Sequence, residues 1–175
     1  RAVAERLPAT RIGVHCHNDT GCGVANSLAA VRSGATMVQG TINGYGERVG
    51  NADLVTILPN LQLKMGYPVL AEERLRELTA LSRYVAEVAN LKHNDHQPYT
   101  GHSAFAHKGG IHVAAILKSP DTYQHIDPEQ VGNLMRSVTS ELSGRGNIVL
   151  QARRMGLDLD NEAAQHVLAQ IKHLE

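Results

Sequence analysis

A chain of 175 residues with Lys+Arg 17 against Asp+Glu 17 and a 42% hydrophobic share has the composition of an ordinary globular protein of one or two domains. Balanced charge without a basic run, and an aromatic share of 3%, leave neither the electrostatic footprint nor the stacking platforms of a nucleic-acid binder. Charges interrupt the apolar stretches well short of the ~20 residues needed to span a bilayer, and the opening RAVAERLPATR lacks the apolar core of a signal peptide, so the expected setting is the cytoplasm, away from membranes.

The chain opens without Met, inside a helical-looking segment from Ala2 to Leu7, and passes through Pro8 and Ala9 into a strand at Arg11 to His15; such an opening reads as the interior of a longer protein. Gly21 to Ser33 has the small and apolar spacing of a helix packed closely on a sheet, through Val24, Leu28 and Val31, with Gly34 as its C-terminal cap. Ala35 to Thr41 follows as a second strand, giving strand, helix and strand in about thirty residues, the βαβ unit of a parallel sheet. Ile42 to Asn51, INGYGERVGN, is a glycine-rich polar loop at the carboxyl end of that strand. Ala52 to Met65 reads as a helix kinked near Pro59. Glu72 to Asn90 is the clearest helix, with Leu75, Leu78, Leu81, Val85 and Val88 on one face.

Leu91 to Gly101 turns polar and irregular, which suits a linker or the rim of a site. From His102 onward the elements are short: a loop AFAHKGGIHVAAI, a helical turn begun by Pro128, a strand from Ser137 to Leu142, and helices at Asn147 to Met155 and Asn161 to Leu174.

The chemistry concentrates at Arg11 to Asn26, RIGVHCHNDTGCGVAN. Residues i and i+2 of a strand share a face, so His15 and His17 converge while Cys16 turns away. Two neutral imidazoles on one face suit a borderline divalent cation, and the carboxyl end of a parallel strand is where α/β barrels place their sites. Taken alone, a His-x-His pattern is more often surface or core than ligand. Asn18 and Asp19 follow as residues able to orient the rings, and the loop from Gly44 to Asn51 arrives at the same end.

Asn51 has two readings, an oxygen ligand and the N-cap of the helix that starts at Ala52. Glu47 and Arg48 read either as a pair that holds the loop and lines the pocket mouth or as a plain solvated pair. Neither GxGxxG nor GxxxxGK[ST] occurs, so a nucleotide site is not expected. Cys16 and Cys22 have the spacing to pair, but read better as free thiols of a reducing compartment, since a six-residue spacing beside the histidine strand offers no useful staple.

The segment HCHNDTGCGVANSLAAVRSGATMVQGTINGYGERVGNADL resembles the signature of the acyl-CoA-condensing synthases of the 2-isopropylmalate, homocitrate and citramalate synthase family. AFAHKGGIHV, TYQHIDPEQVG and SELSGRGNI resemble that family's later subdomains in order and spacing, so the resemblance covers nearly the whole chain. It implies an α/β fold: the C-terminal part of a (β/α)8 TIM barrel, its last two strands, followed by mostly helical post-barrel subdomains. The implied division is residues 1–66 for the barrel portion, 67–100 for a helical linker and 101–175 for an α/β post-barrel subdomain.

The resemblance further implies that His15 and His17 ligate a catalytic divalent metal (Mg, Mn or Zn), with Asn51 at or beside its coordination sphere. Asn18, Asp19, Glu47 and Arg48 then surround that sphere or line the substrate pocket. The family's remaining ligand, an Asp on the first barrel strand, and the Arg beside it have no counterpart in these residues.

His112, in GGIHV, matches the His that helps deprotonate the acetyl-CoA methyl group, and Tyr123 matches an assisting Tyr; read without the resemblance, they are a loop His and a packing Tyr. In the family these two reach the other subunit's barrel, so a homodimer with composite sites is implied. The implied reaction is an acyl transfer, condensing acetyl-CoA with a 2-keto acid in branched-chain amino-acid biosynthesis.

HQPYTGHSAFAHKGGIHV and SELSGRGNIV are most like citramalate synthases, which use pyruvate on a route to isoleucine, with 2-isopropylmalate synthase, using 2-ketoisovalerate towards leucine, next. A lyase of the hydroxymethylglutaryl-CoA type shares the H-x-H pair but carries a glycine- and cysteine-bearing loop where this chain has GERVGN. A non-catalytic metal-binding module or an inactive fragment is the alternative of another class, because a closed barrel takes ~250 residues; this chain alone is expected to have no condensing activity.

Overall fold

The computed structural model describes the chain except residues 108–114, 117–118, 120–121, 138–143 and 175. Two compact units emerge, one formed by Arg1–Ala104 with Glu129–Asn133, the other by Phe105–Pro128 with Leu134–Glu175. The architecture is α/β. Among the described residues no helix is long and apolar enough to cross a membrane.

In the first unit a short helix α1 (Ala2–Arg6) precedes strand β1 (Gly13–His15), helix α2 (Gly23–Arg32) and strand β2 (Met37–Gln39). The strands pair in parallel with Gly13 opposite Met37, Val14 opposite Val38 and His15 opposite Gln39, so the expected βαβ unit is present with shorter strands. Gly34 ends α2 at φ 105°, a conformation that glycine adopts without the steric cost of a Cβ. Val24, Leu28 and Val31 pack on Ala52, Ile57 and Leu61, together with Cys16 and Val38. Ser27, fully buried in α2, donates to the Gly23 carbonyl at 2.8 Å, which satisfies its hydroxyl where the helix meets the core.

Helix α3 (Leu54–Pro59) starts at Asp53, whose Oδ1 accepts from Val55 N at 3.0 Å. The expected kink is a change of helix type. Pro59 has no N–H to donate, and beyond it Asn60–Lys64 continue as a single π turn.

The segment expected as one helix from Glu72 to Asn90 divides into α4 (Glu72–Leu75) and α5 (Leu78–Val88). At the break Arg76 and Glu77 have ψ of −17° and −6°. There Gly132, at φ 67°, lies so close to the Arg76 carbonyl that a Cβ would overlap its oxygen.

The break also corrects the expected apolar face. Leu75 and Leu78 are buried, but Leu81 is 41% and Val88 68% exposed. The buried face of α5 carries Leu78, Thr79, Ser82 and Ala86 instead, and its hydroxyls are bonded: Thr79 Oγ1 donates to the Val131 carbonyl at 2.7 Å.

In the second unit β3 (Ala106–His107) pairs in parallel with β4 (Arg136–Ser137). The strand expected over Ser137 to Leu142 therefore begins one residue early, and its remainder lies outside the described residues. Helices α6 (Arg145–Arg154) and α7 (Asn161–Leu174) enclose Ile148, Ala164 and Leu168, and Asp160 Oδ1 caps α7 by accepting from Glu162 N and Ala163 N at 3.1 and 2.8 Å. Phe105 stacks on the His125 ring with centroids 5.6 Å apart.

Candidate metal centre

The alternation of β1 continues past its last hydrogen-bonded residue. His17 forms an antiparallel bridge with Asn51, and Cys16, between the two histidines, packs into the core while its carbonyl accepts from Ala52 N at 2.8 Å. The rings of His15 and His17 meet as strand geometry requires, Nε2 to Nε2 at 3.4 Å, with centroids 5.2 Å apart and planes at 67°. That contact is longer than a well-formed hydrogen bond. It matches two nitrogens that share one tetrahedral cation, since ligands ~2.1 Å from the ion lie ~3.4 Å apart.

Asn51 adds an oxygen. Its Nδ2 donates to the Tyr45 carbonyl at 3.2 Å, which leaves Oδ1 as the open end of the amide, buried and without a hydrogen-bond partner. His17 Nδ1 is likewise buried and unpartnered. A buried polar atom without a partner costs about 1–3 kcal/mol, so an orphaned amide oxygen on a residue bridged to His17 fits a cation ligand. Among the described residues no group of three or more His, Cys, Asp or Glu side chains comes together, so the donor set here is two imidazoles and one amide.

Glycines fold the loop back on itself. Gly44 N donates to the Thr41 carbonyl at 3.2 Å, Asn51 N to the Gly44 carbonyl at 2.9 Å, and Asn18 N to the Gly50 carbonyl at 2.9 Å. The Asn51 amide lies against Gly46 so tightly that a Cβ there would overlap Nδ2.

Asn18 and Asp19 have partners of their own. Asn18 Oδ1 accepts from Gly23 N at 3.0 Å, at the start of α2. Asp19 receives a fork from Arg48, Nε to Oδ1 at 2.6 Å and Nη2 to Oδ2 at 3.2 Å, and that hydrogen bond is the main reason its carboxyl titrates below the usual range. Arg48 is thus bound chiefly to Asp19 rather than to Glu47, whose Oε2 is 3.8 Å from Nη1 and whose side chain projects to solvent. Adjacent residues in a tight turn cannot align a fork, whereas the opposing segment can.

The polar stretch after α5 is a rim. Leu91 to Asn94 and Gln97 line, with the glycine loop, a cavity of 430 Å³. His93 Nε2 is 2.8 Å from Ser82 Oγ, which donates to Asn43 Oδ1 at 2.5 Å and lies 3.2 Å from Thr100 Oγ1. Burial, and secondarily Arg83, push the His93 pKa down, while Asp95 pulls it up.

Gln97 Nε2 donates to Asp53 Oδ2 at 2.7 Å and Thr56 Oγ1 donates to the same oxygen at 2.6 Å. Burial nonetheless raises the Asp53 carboxyl above its ordinary value. Sequence reasoning passed over Asn43, Asp53, Ser82, His93 and Gln97, because their partners lie up to 44 residues away and no local period marks them. His112 lies outside the described residues. Tyr123 is in the second unit and is 45% exposed.

Comparison with known proteins places the chain among relatives. Residues 1–85 match the HMGL-like family model and residues 99–175 the model described as homocitrate synthase post-HMGL domain-like. The (R)-citramalate synthase of Synechocystis sp. is 54% identical over 174 residues, covering 98% of this chain and 31% of that protein. The (R)-citramalate synthase of Streptomyces coelicolor is 54% identical over 167 residues, 94% of this chain and 31% of that protein. The 2-isopropylmalate synthase of Sulfolobus acidocaldarius is 40% identical over 163 residues, 93% of this chain and 42% of that protein. The chain thus spans about a third of the length of the first curated relatives it matches. With both domain types in succession and this similarity along nearly its whole length, the chain belongs to the 2-isopropylmalate, homocitrate and citramalate synthase family.

Proposed function

We propose that the protein is an acyltransferase that condenses acetyl-CoA with pyruvate to give citramalate, releasing CoA, in branched-chain amino-acid biosynthesis. The observation that carries this reading is the pair of imidazoles 3.4 Å apart beside the open amide oxygen of Asn51, in a chain 54% identical to (R)-citramalate synthases and 40% identical to a 2-isopropylmalate synthase. On this reading β1 and β2 are the last two strands of a (β/α)8 barrel, and their carboxyl ends face the reaction.

His15, His17 and Asn51 would hold a divalent cation, Mg, Mn or Zn. Such a cation supplies Lewis-acid polarisation of a keto carbonyl and an anchor for the acid's carboxylate. His112 takes a proton from the thioester methyl group, with Tyr123 assisting. The carbon that keeps the electron pair attacks the keto carbon, a C–C bond forms, and the keto oxygen takes a proton. Water then cleaves the thioester and CoA leaves as the thiol. A thioester methyl is so weakly acidic that hydrogen-bond donors at its oxygen must accompany the base. His112 and Tyr123 act on the partner subunit's barrel, so the working unit is a homodimer with composite sites, and a cytoplasmic location goes with this chemistry.

The test is thiol release by the full-length protein from acetyl-CoA with pyruvate or 2-ketoisovalerate, with added Mn²⁺ or a chelator. Pyruvate should be the faster acceptor, and the chelator should abolish the difference from the acceptor-free control. A faster rate with 2-ketoisovalerate replaces citramalate by 2-isopropylmalate as product. Release that ignores both acceptors refutes the condensation.

A further inference from the structure

We propose that the Arg48–Asp19 ion pair is a clasp that positions the cation ligands, an inference that rests on the reading of His15, His17 and Asn51 as those ligands. Asp19 stands two residues after His17 and Arg48 three residues before Asn51. The fork between them, 2.6 and 3.2 Å, therefore closes a ring whose other ties are the His17–Asn51 bridge and the 2.9 Å bond from Asn18 N to the Gly50 carbonyl. Without the fork, the loop that carries Asn51 is tied to the histidine segment by backbone alone.

The backbone at Arg48 is what sets this pair apart from an ordinary surface ion pair. Gly50 N donates to the Glu47 carbonyl at 2.9 Å, so Arg48 is the first central residue of a tight turn, and its φ is 58°. Val49, the second central residue, has no positive φ. A positive φ at the first central position of a turn favours glycine over any residue with a Cβ. An arginine held in a glycine conformation, in a loop that already has glycines at 44, 46 and 50, points to a task for its side chain, and the side chain is spent on Asp19. Global stability is not that task, because the pair is half exposed, at 55% and 44% of side-chain area.

A positioning role and a purely electrostatic one have opposite signs. If Arg48 acted only as a positive charge near the site, its removal would tighten binding of a dication. If it positions Asn51 against the histidines, its removal weakens binding.

The test is calorimetric titration of the full-length protein with Mn²⁺, comparing wild type with Arg48→Gly, Arg48→Lys, Asp19→Asn, the Arg48→Gly/Asp19→Asn double variant and His15→Ala/His17→Ala. Arg48→Gly and Asp19→Asn should each weaken Mn²⁺ binding about tenfold. The double variant should lose no more than either single change, because one clasp is broken once. Arg48→Lys, which keeps the charge but not the fork, should weaken binding as well. The melting temperature of metal-free Arg48→Gly should stay at the wild-type value, since relief of the left-handed backbone offsets loss of the pair. Equal or tighter Mn²⁺ binding by Arg48→Gly, or losses that multiply in the double variant, overturn the clasp while leaving the ligand assignment intact. Absence of Mn²⁺ binding by wild type, or unchanged binding by His15→Ala/His17→Ala, overturns the ligand assignment and the clasp with it.

Discussion

Replacing Asp53 tests how the site is fastened to the fold. Asp53 lies two residues beyond Asn51, bridges to Thr41, caps α3 through Val55 N, and receives hydrogen bonds from Thr56 Oγ1 and Gln97 Nε2. Asp53→Ala removes the cap, worth about 1 kcal/mol. It also strands the Gln97 amide, buried at 9% exposure, for about 1–3 kcal/mol more. Thr56, half buried, can turn its hydroxyl to water. Relief of the buried carboxylate offsets part of this, so the net loss is roughly 2–3 kcal/mol, a fall of roughly 5–10 °C in Tm.

Asp53→Asn should lose less, about 1 kcal/mol or below, because its Oδ1 still caps Val55 while the Gln97 amide can flip and the Thr56 hydroxyl can rotate to meet the new Nδ2. The carboxyl pKa is raised mainly by burial, so its favourable contribution is full below the ordinary carboxylate range and is lost as pH rises through the raised value. The stability of wild type relative to Asp53→Asn should therefore decline as pH rises from below the ordinary aspartate value through the raised one. Urea unfolding followed by circular dichroism, with slopes compared among variants, measures all three quantities. A loss below about 0.5 kcal/mol in Asp53→Ala, or an Asn variant as damaged as the Ala variant, would refute this account.

Other expectations follow from the same contacts. Single replacement of His15 or His17 by Ala should lower Mn²⁺ affinity by more than roughly a hundredfold, beyond the range that changes around a ligand produce, while the metal-free fold keeps its circular dichroism spectrum. Gly46→Ala has no left-handed backbone to strain, so its whole effect falls on the Asn51 amide that the new Cβ displaces; cation affinity should drop with little change in Tm, and an unaltered affinity contradicts the assignment of Asn51. Burial lowers the His93 pKa, so stability is full above the ordinary histidine value near 6.5 and is lost as pH falls below it. His93→Gln, which can still bond Ser82, should flatten that acid limb in thermal melts, and an unchanged slope assigns the limb to another group.

Local pattern was enough for the part of the molecule built from near neighbours. The βαβ unit, the face of α2, the span of α7 and the meeting of His15 with His17 each depend on a period of two or on a helical repeat, both readable within a dozen residues. Where residues distant in sequence make the contact, pattern misled. The leucine and valine spacing from Leu75 to Val88 describes one continuous helix, but Gly132 meets the Arg76 carbonyl at a break, and α5 buries Thr79 and Ser82 because Val131 and Asn43 offer them partners. Neighbouring opposite charges at Glu47 and Arg48 suggested a pair, and they do approach at 3.8 Å, but the fork of Arg48 goes to Asp19, 29 residues away.

By itself, then, the sequence determined which side chains could hold a cation, because strand alternation places His15 and His17 on one face wherever the strand lies. Only the tertiary structure decided what surrounds them. It brought Asn51 beside His17 with its oxygen unpartnered, gave Asp19 to Arg48, and bound Asp53 to Gln97 across 44 residues. The physical reason is that hydrogen bonds and ion pairs of this kind depend on distance and angle between segments that fold from far apart, and a residue's type records its capacity to bond without recording which partner will reach it.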